Sequence, residues 1–120
     1  MENRYKTFDV ILVDFGEVEF AGEQGGERPA VIIQNAMGNK YSSTTIVLPF
    51  TSKIKNINQP THSLFRSDIK SGLSKDSMIL GECVRQISEK RIIKKLGSIQ
   101  DLKDKLKIKQ VYDANFGEVI

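Results

Sequence analysis

Apolar residues in this 120-residue chain gather in short runs rich in β-branched side chains, and helical spacing appears only near the C-terminus. Asp9-Val10-Ile11-Leu12-Val13-Asp14-Phe15 predicts a strand buried on both faces. Gly16 to Glu27 carries four glycines and four glutamates and reads as a long loop. Pro29 then opens a second strand, Ala30 to Gln34, at a position where no ladder hydrogen bond is lost. Met37-Gly38-Asn39-Lys40 is a turn signal, and Thr44 to Pro49 predicts a third strand ending just before Thr51-Ser52. Lys53 to Pro60 is polar and irregular. Pro60 to Phe65 starts a further strand-like piece, and Ser67 to Ser77 reads as a connection around Gly72. Ser77 to Ile87 is the last strand region, where Gly81 suggests a bulge or a close backbone approach.

The remainder predicts helices. Ser88 would cap a short helix that Gly97 stops, and Ser98-Ile99-Gln100-Asp101 resembles a capping box. Ile99, Leu102, Leu106, Ile108, Tyr112 and Phe116 fall on one broad helical face, with Lys103, Lys105, Lys107 and Lys109 mostly elsewhere. About five strands followed by helices predict a mainly β domain, a small antiparallel barrel with C-terminal helices. The length fits one domain, residues 1–120.

Composition narrows the function classes. Hydrophobic residues at 39% and charged residues at 28% give an ordinary globular balance. No run approaches the roughly 20 apolar residues that span a bilayer, and Met1 to Lys6 offers no apolar segment of a secretory signal. Cys83 is the only cysteine, which excludes an internal disulfide, a zinc ribbon and a CxxC redox pair, and makes a reducing cytoplasm the simplest setting. His62 is the only histidine, so a His-rich metal site and two-histidine acid–base chemistry are excluded; neither metal nor cofactor is expected. Residues 1–60 hold six basic against seven acidic side chains, residues 61–120 twelve against eight. So small an asymmetry reads first as a solvated helix surface.

Any chemistry must then run on Arg, Thr, Ser, Glu or backbone groups. Gly22-Glu23-Gln24-Gly25-Gly26-Glu27-Arg28-Pro29 places an arginine, a fixed fork of donors suited to phosphate, at the base of a glycine-rich loop. Taken alone, the string also describes a bare hairpin loop.

Glu23 to Asn35 closely resembles the first signature of the MazF/PemK toxins, and further matches follow in order. Gly38-Asn39-Lys40-Tyr41-Ser42 is similar to the family's next turn, and Ile46 to Ile54 to its central strand ending in a threonine. Pro60-Thr61-His62, Lys75 to Leu80 and Arg85-Gln86-Ile87 are similar to its later motifs, so that the likeness spans roughly residues 8 to 97. The resemblance implies an SH3-like barrel, a homodimer, and a metal-independent, sequence-specific endoribonuclease of a toxin–antitoxin system. Such an enzyme cuts single-stranded RNA, mostly messenger RNA, and is restrained by an antitoxin with a disordered acidic segment. It places the catalytic arginine at Arg28 and the catalytic threonine at Thr51.

The expected reaction is attack of the RNA's own 2′-hydroxyl on the adjacent phosphate, with Arg28 and Thr51 donating to the charge that develops. Products would carry 2′,3′-cyclic phosphate and 5′-hydroxyl ends, and DNA, lacking the 2′-hydroxyl, would not be cut. Phe20, Glu23, Gln24, Ser52, Lys53, Lys55, Glu82 and Cys83 are the candidate RNA-binding residues. Phe20 could stack a base or fill the loop's own core; Glu23 could act as base or as an ordinary loop residue. His62 reads as structural, holding the strand after the long loop. Family members often place Gln after Glu near the last strand, where this chain has Cys83, a side chain with no amide to read a base edge. The acidic stretch Gly16 to Phe20 repels phosphate and predicts weak or narrow cleavage. Two other readings remain: a same-fold toxin acting on a protein target such as gyrase, and a non-catalytic module binding RNA or antitoxin.

Overall fold

The computed structural model describes residues 5–18, 20, 24–36, 38 and 42–117. Its strands are β1 (Asp9–Asp14), β2 (Glu27–Ile32), β3 (Thr44–Thr51), β4 (His62–Phe65), β5 (Ser77–Leu80), β6 (Arg85–Ser88) and β7 (Ile92–Ser98), and helix α1 covers Leu102–Asp113. The order across the sheet is β4-β5-β3-β2-β1-β7, with β6 also on β3, and every pairing between these strands is antiparallel.

Alternation along the central strands explains their unbroken apolar runs. Val10, Val31 and Leu48 share one core with Phe50, Phe65, Ile79 and the helix residues Ile108 and Val111. Ile11, Val13, Ala30, Ile32 and Val47 share a second core with Phe15 and Ile87. Successive residues point to opposite faces, so a sheet covered on both sides needs apolar side chains at every position. Leu48 is fully buried, and Leu48→Ala is expected to cost about 2–5 kcal/mol in urea unfolding.

β3 is the hub. Its first half pairs with β6, and its last two residues switch to β5, as Phe50↔Ile79 and Thr51↔Met78. The single last strand region expected from sequence is therefore two strands, parted at Gly81 by a 3₁₀ turn, Gly81–Cys83. Gly81 is the close approach its residue type suggests. A Cβ there would lie 2.5 Å from the Val111 carbonyl oxygen and 2.8 Å from that of Thr61.

The segment after Ser88 departs from expectation. Ser88 does cap, its hydroxyl accepting from the Lys90 amide at 3.2 Å, but the cap closes only the 3₁₀ turn Glu89–Arg91. Residues 92–98 are strand β7, not helix, because β1 offers them a ladder from Asp9↔Ser98 to Val13↔Ile92. The register slips twice, leaving Leu96 and Ile93 as extra residues on β7. Nor is there a capping box. Ser98 ends β7, and α1 starts after Asp101, whose carbonyl rather than side chain takes the Asp104 and Lys105 amides.

The helix also shows a different face from the one its leucines suggest. Ile108 and Val111 are buried, whereas Leu102, Leu106 and Phe116 are mostly exposed. Lysine stems fill the inner stripe: the Lys107 Nζ sits 4.2 Å from the Phe65 ring centroid and donates to the Leu64 carbonyl, and the Lys105 Nζ lies 5.1 Å from that of Phe8. Long lysines bury methylenes while their charge finds ring faces and carbonyls. Leu106→Ala is accordingly expected to change stability by less than about 0.5 kcal/mol, against the large loss at Leu48. Among the described residues, no helix is long and apolar enough to cross a membrane.

Candidate active site

A cleft of about 730 Å³ opens where β2, the end of β3, the 53–60 loop and the Gly81–Cys83 turn meet. Arg28 and Thr51 both line it. The β2–β3 ladder runs Ile32↔Val47, Val31↔Leu48, Ala30↔Pro49. Two residues beyond the last pair lie Arg28 on one strand and Thr51 on the other, on the face that Ala30 and Pro49 share. The register thus brings two residues 23 positions apart to one end of the sheet.

The Arg28 guanidinium is already oriented. Its Nε donates to the Gly25 carbonyl at 3.1 Å, and its Nη1 to the Gln24 side-chain oxygen. Among the described residues, these bonds engage two of its five N–H donors. The hairpin beneath is pinched by Phe15 and Gly26 amide bonds, 2.9 Å to the Gly26 carbonyl and 2.7 Å to that of Gly16, which needs Gly26 at φ +71°. The Thr51 hydroxyl accepts from the Lys53 amide at 3.2 Å, so its own proton remains available to a ligand.

Eight of the ten expected site residues meet here: Arg28, Thr51, Gln24, Ser52, Lys53, Lys55, Glu82 and Cys83. Phe20 does not line the cleft. It is also not loop core, the residue being 65% exposed. Glu23 lies outside the described residues, as do Glu19, Gly22, Met37, Asn39, Lys40 and Tyr41. The structure adds Glu27, Asn56, Gln59 and Lys75, and places His62 on the same wall rather than only beneath it. Glu27, Lys75 and His62 stand in the motif strings Glu23 to Asn35, Lys75 to Leu80 and Pro60-Thr61-His62, whereas Asn56 and Gln59 had no such signal. Four basic side chains, Arg28, Lys53, Lys55 and Lys75, face two carboxylates, Glu27 and Glu82.

His62 and Glu82 form a short polar contact in the cleft, Nε2 to Oε2 at 2.7 Å, with the His62 side chain only 6% exposed. The expectation that His62 holds the strand after the loop fits its second bond, Nδ1 to the Asn56 carbonyl at 3.0 Å. Burial pushes the Cys83 thiol above its ordinary range, Glu82 adds to that, and Arg28 opposes it. Alkylation of Cys83 by iodoacetamide at mildly alkaline pH is therefore expected to be slower than that of a free thiol, and faster in Glu82→Gln. Equal rates for Cys83 and a free thiol would contradict the assigned cause. Among the described residues, no three His, Cys, Asp or Glu side chains converge as a metal site.

A model of the PemK-like, MazF-like toxins of type II toxin–antitoxin systems matches residues 6–111. The chain belongs to this toxin family. It is 42% identical over 109 residues to a protein named endoribonuclease MazF from Staphylococcus saprophyticus, covering 91% of this chain and 88% of that one. The MazF of Deinococcus radiodurans superposes with a TM-score of 0.76 at 17% identity, over 95% of this chain and 97% of that one. A mycobacterial endoribonuclease solved with its cognate antitoxin superposes at 0.75 and 14% identity, over 94% and 95%. At such identities the superpositions speak for the toxin fold, the antiparallel sheet with a C-terminal helix.

Proposed function

We propose that this toxin is a metal-independent, sequence-specific endoribonuclease of single-stranded RNA, messenger RNA above all, working in the cytoplasm. The observation that carries the reading is the convergence of Arg28 and Thr51, from two strands, on one net-positive cleft. Membership of the toxin family and the name of the 42% identical relative support it.

The chemistry asks little more of the protein. The 2′-hydroxyl loses its proton and bonds to phosphorus, and the bond to the 5′ oxygen breaks. Charge builds on the non-bridging oxygens, where the Arg28 guanidinium and the Thr51 hydroxyl donate. Lys53, Lys55 and Lys75 hold flanking phosphates, while Gln24, Glu82 and Cys83 line the wall along which unstacked bases would lie. Ser52, next to Thr51, contributes a further donor. The expected assembly is a homodimer, and the expected partner an antitoxin whose acidic segment occupies the same cleft.

The test is to incubate the protein with a long mixed-sequence RNA in EDTA and map the fragments. Discrete cuts with 5′-hydroxyl ends, abolished by a saturating antitoxin, are expected. Intact RNA at high protein concentration would reject the reading and turn attention to a protein target or a non-catalytic binding role.

A further inference from the structure

We propose that His62 is a positioning residue which, as an imidazolium, clamps the 53–60 loop to the Gly81–Cys83 turn and so sets Lys53, Lys55 and Glu82 for RNA binding. The functional consequence rests on the RNA reading of the cleft; the clamp itself rests on geometry alone.

Both ring nitrogens face acceptors. Nδ1 meets the Asn56 carbonyl at 3.0 Å and Nε2 the Glu82 carboxylate at 2.7 Å. A neutral imidazole carries one N–H, so it can donate to only one of them and turns a lone pair on the other. With Glu82 ionised, the doubly protonated ring satisfies both, and with its side chain 6% exposed, water has little room to substitute.

The same two acceptors are each used twice. The Gln59 amide donates to the Asn56 carbonyl at 3.0 Å, and the Gln59 side chain to the Glu82 Oε2 at 3.3 Å. His62 and Gln59 thus make parallel ties between loop and turn. Asn56 itself sits at φ +53°, a left-handed conformation that asparagine tolerates and that the shared carbonyl holds in place. Lys55 directly precedes that anchored residue and Lys53 lies three positions before it, so loop position and lysine position are one variable.

Other ionisable groups line the same cleft as the ring. They are Glu82 in direct contact, Lys53 and Lys55 from the loop, Lys75 from the β4–β5 connection, Arg28 and Glu27 from β2, and the Cys83 thiol. From α1, Lys107 packs farther along β4 at the Leu64 carbonyl. Because both ring nitrogens are engaged, carrying a proton to or from substrate would first break one tie, which argues for positioning over proton transfer.

A single histidine makes the test direct. Long-range ¹H–¹⁵N spectra of the labelled full chain, from about pH 5 to 9, are expected to show both ring nitrogens protonated on the acid side. The Asn56 and Gln59 amides should shift with the same midpoint as the ring. In parallel, KM for a cleavable oligonucleotide should rise about tenfold as the ring titrates, as for loss of a charge-assisted tie, with kcat within about twofold. His62→Gln should show the high KM at all pH values. A ring with one neutral tautomer throughout, or loop amides blind to its titration, would overturn the clamp. So would a His62→Gln loss of 10²-fold or more in kcat at unchanged KM, the mark of a proton carrier. If wild type cuts no RNA, the RNase reading fails while the spectra still decide the clamp.

Discussion

Arg28→Ala is expected to reduce RNA cleavage roughly 10³-fold, the scale on which removing a preorganised cationic donor acts at a transferring phosphate. Its stability should stay close to the parent's. Arg28 is only partly buried, its two protein bonds go to the Gln24 side chain and the Gly25 carbonyl, and neither core includes it. Arg28→Lys keeps the charge and loses the planar fork, so it should recover little of the rate. Thr51→Ser should cut nearly as fast as the parent, and Thr51→Val roughly 10²-fold more slowly, because valine removes the donor and the acceptor of the Lys53 amide together. Single-turnover rates on one cleavable oligonucleotide, beside urea midpoints for every variant, measure this. Cleavage by Arg28→Ala at the parent rate would remove the mechanism.

Gly81→Ala is expected to destabilise the fold by about 3 kcal/mol or more, as overpacking against groups that cannot rotate away. The new methyl would meet main chain from two directions, the Val111 carbonyl of α1 and the Thr61 carbonyl beside β4. Gly81 also takes a bond from the Asn115 side chain to its own carbonyl at 2.8 Å and gives its amide to Thr61 at 2.7 Å. The next two residues, Glu82 and Cys83, line the cleft, so relief of the clash by moving this turn would weaken RNA binding as well. Gly117→Ala is the control: Gly117 lies at φ +61° with nothing within 4 Å of a Cβ, and only the backbone cost of about 1 kcal/mol applies. Equal urea midpoints for the two variants would refute the packing account.

The centres of β1, β2 and β3 were legible because they are apolar and buried on both sides, whereas Glu27 and Arg28, polar and less buried, fell outside the expected second strand although β2 begins with them. Ile92 to Ser98 was not legible as strand. Its lysines and cap satisfy helical rules, and what overrides them is a partner, β1, more than seventy residues away in the chain. The helix was found, and Ile99 and Ile108 of its expected face are buried, but Leu102 and Leu106 are not, since leucines advertise burial and lysine methylenes do not. For the site, the motif strings singled out Arg28 and Thr51, yet nothing local says that they share a cleft; that follows from the β2–β3 register. Lys75 and Gln59 reach the cleft through the path of connections, which has no periodicity to read.

The double slip in β7 bears on how this toxin behaves in solution by itself. β7 ends the sheet, and a straight terminal strand would offer its spare amides and carbonyls to the same strand of another molecule. Two kinks within seven residues, with Lys94 and Lys95 exposed between them, spoil that template by shape and by charge. A toxin without its antitoxin has to stay dispersed. An edge that cannot propagate keeps the freed chains from stacking into fibres instead of reaching their target.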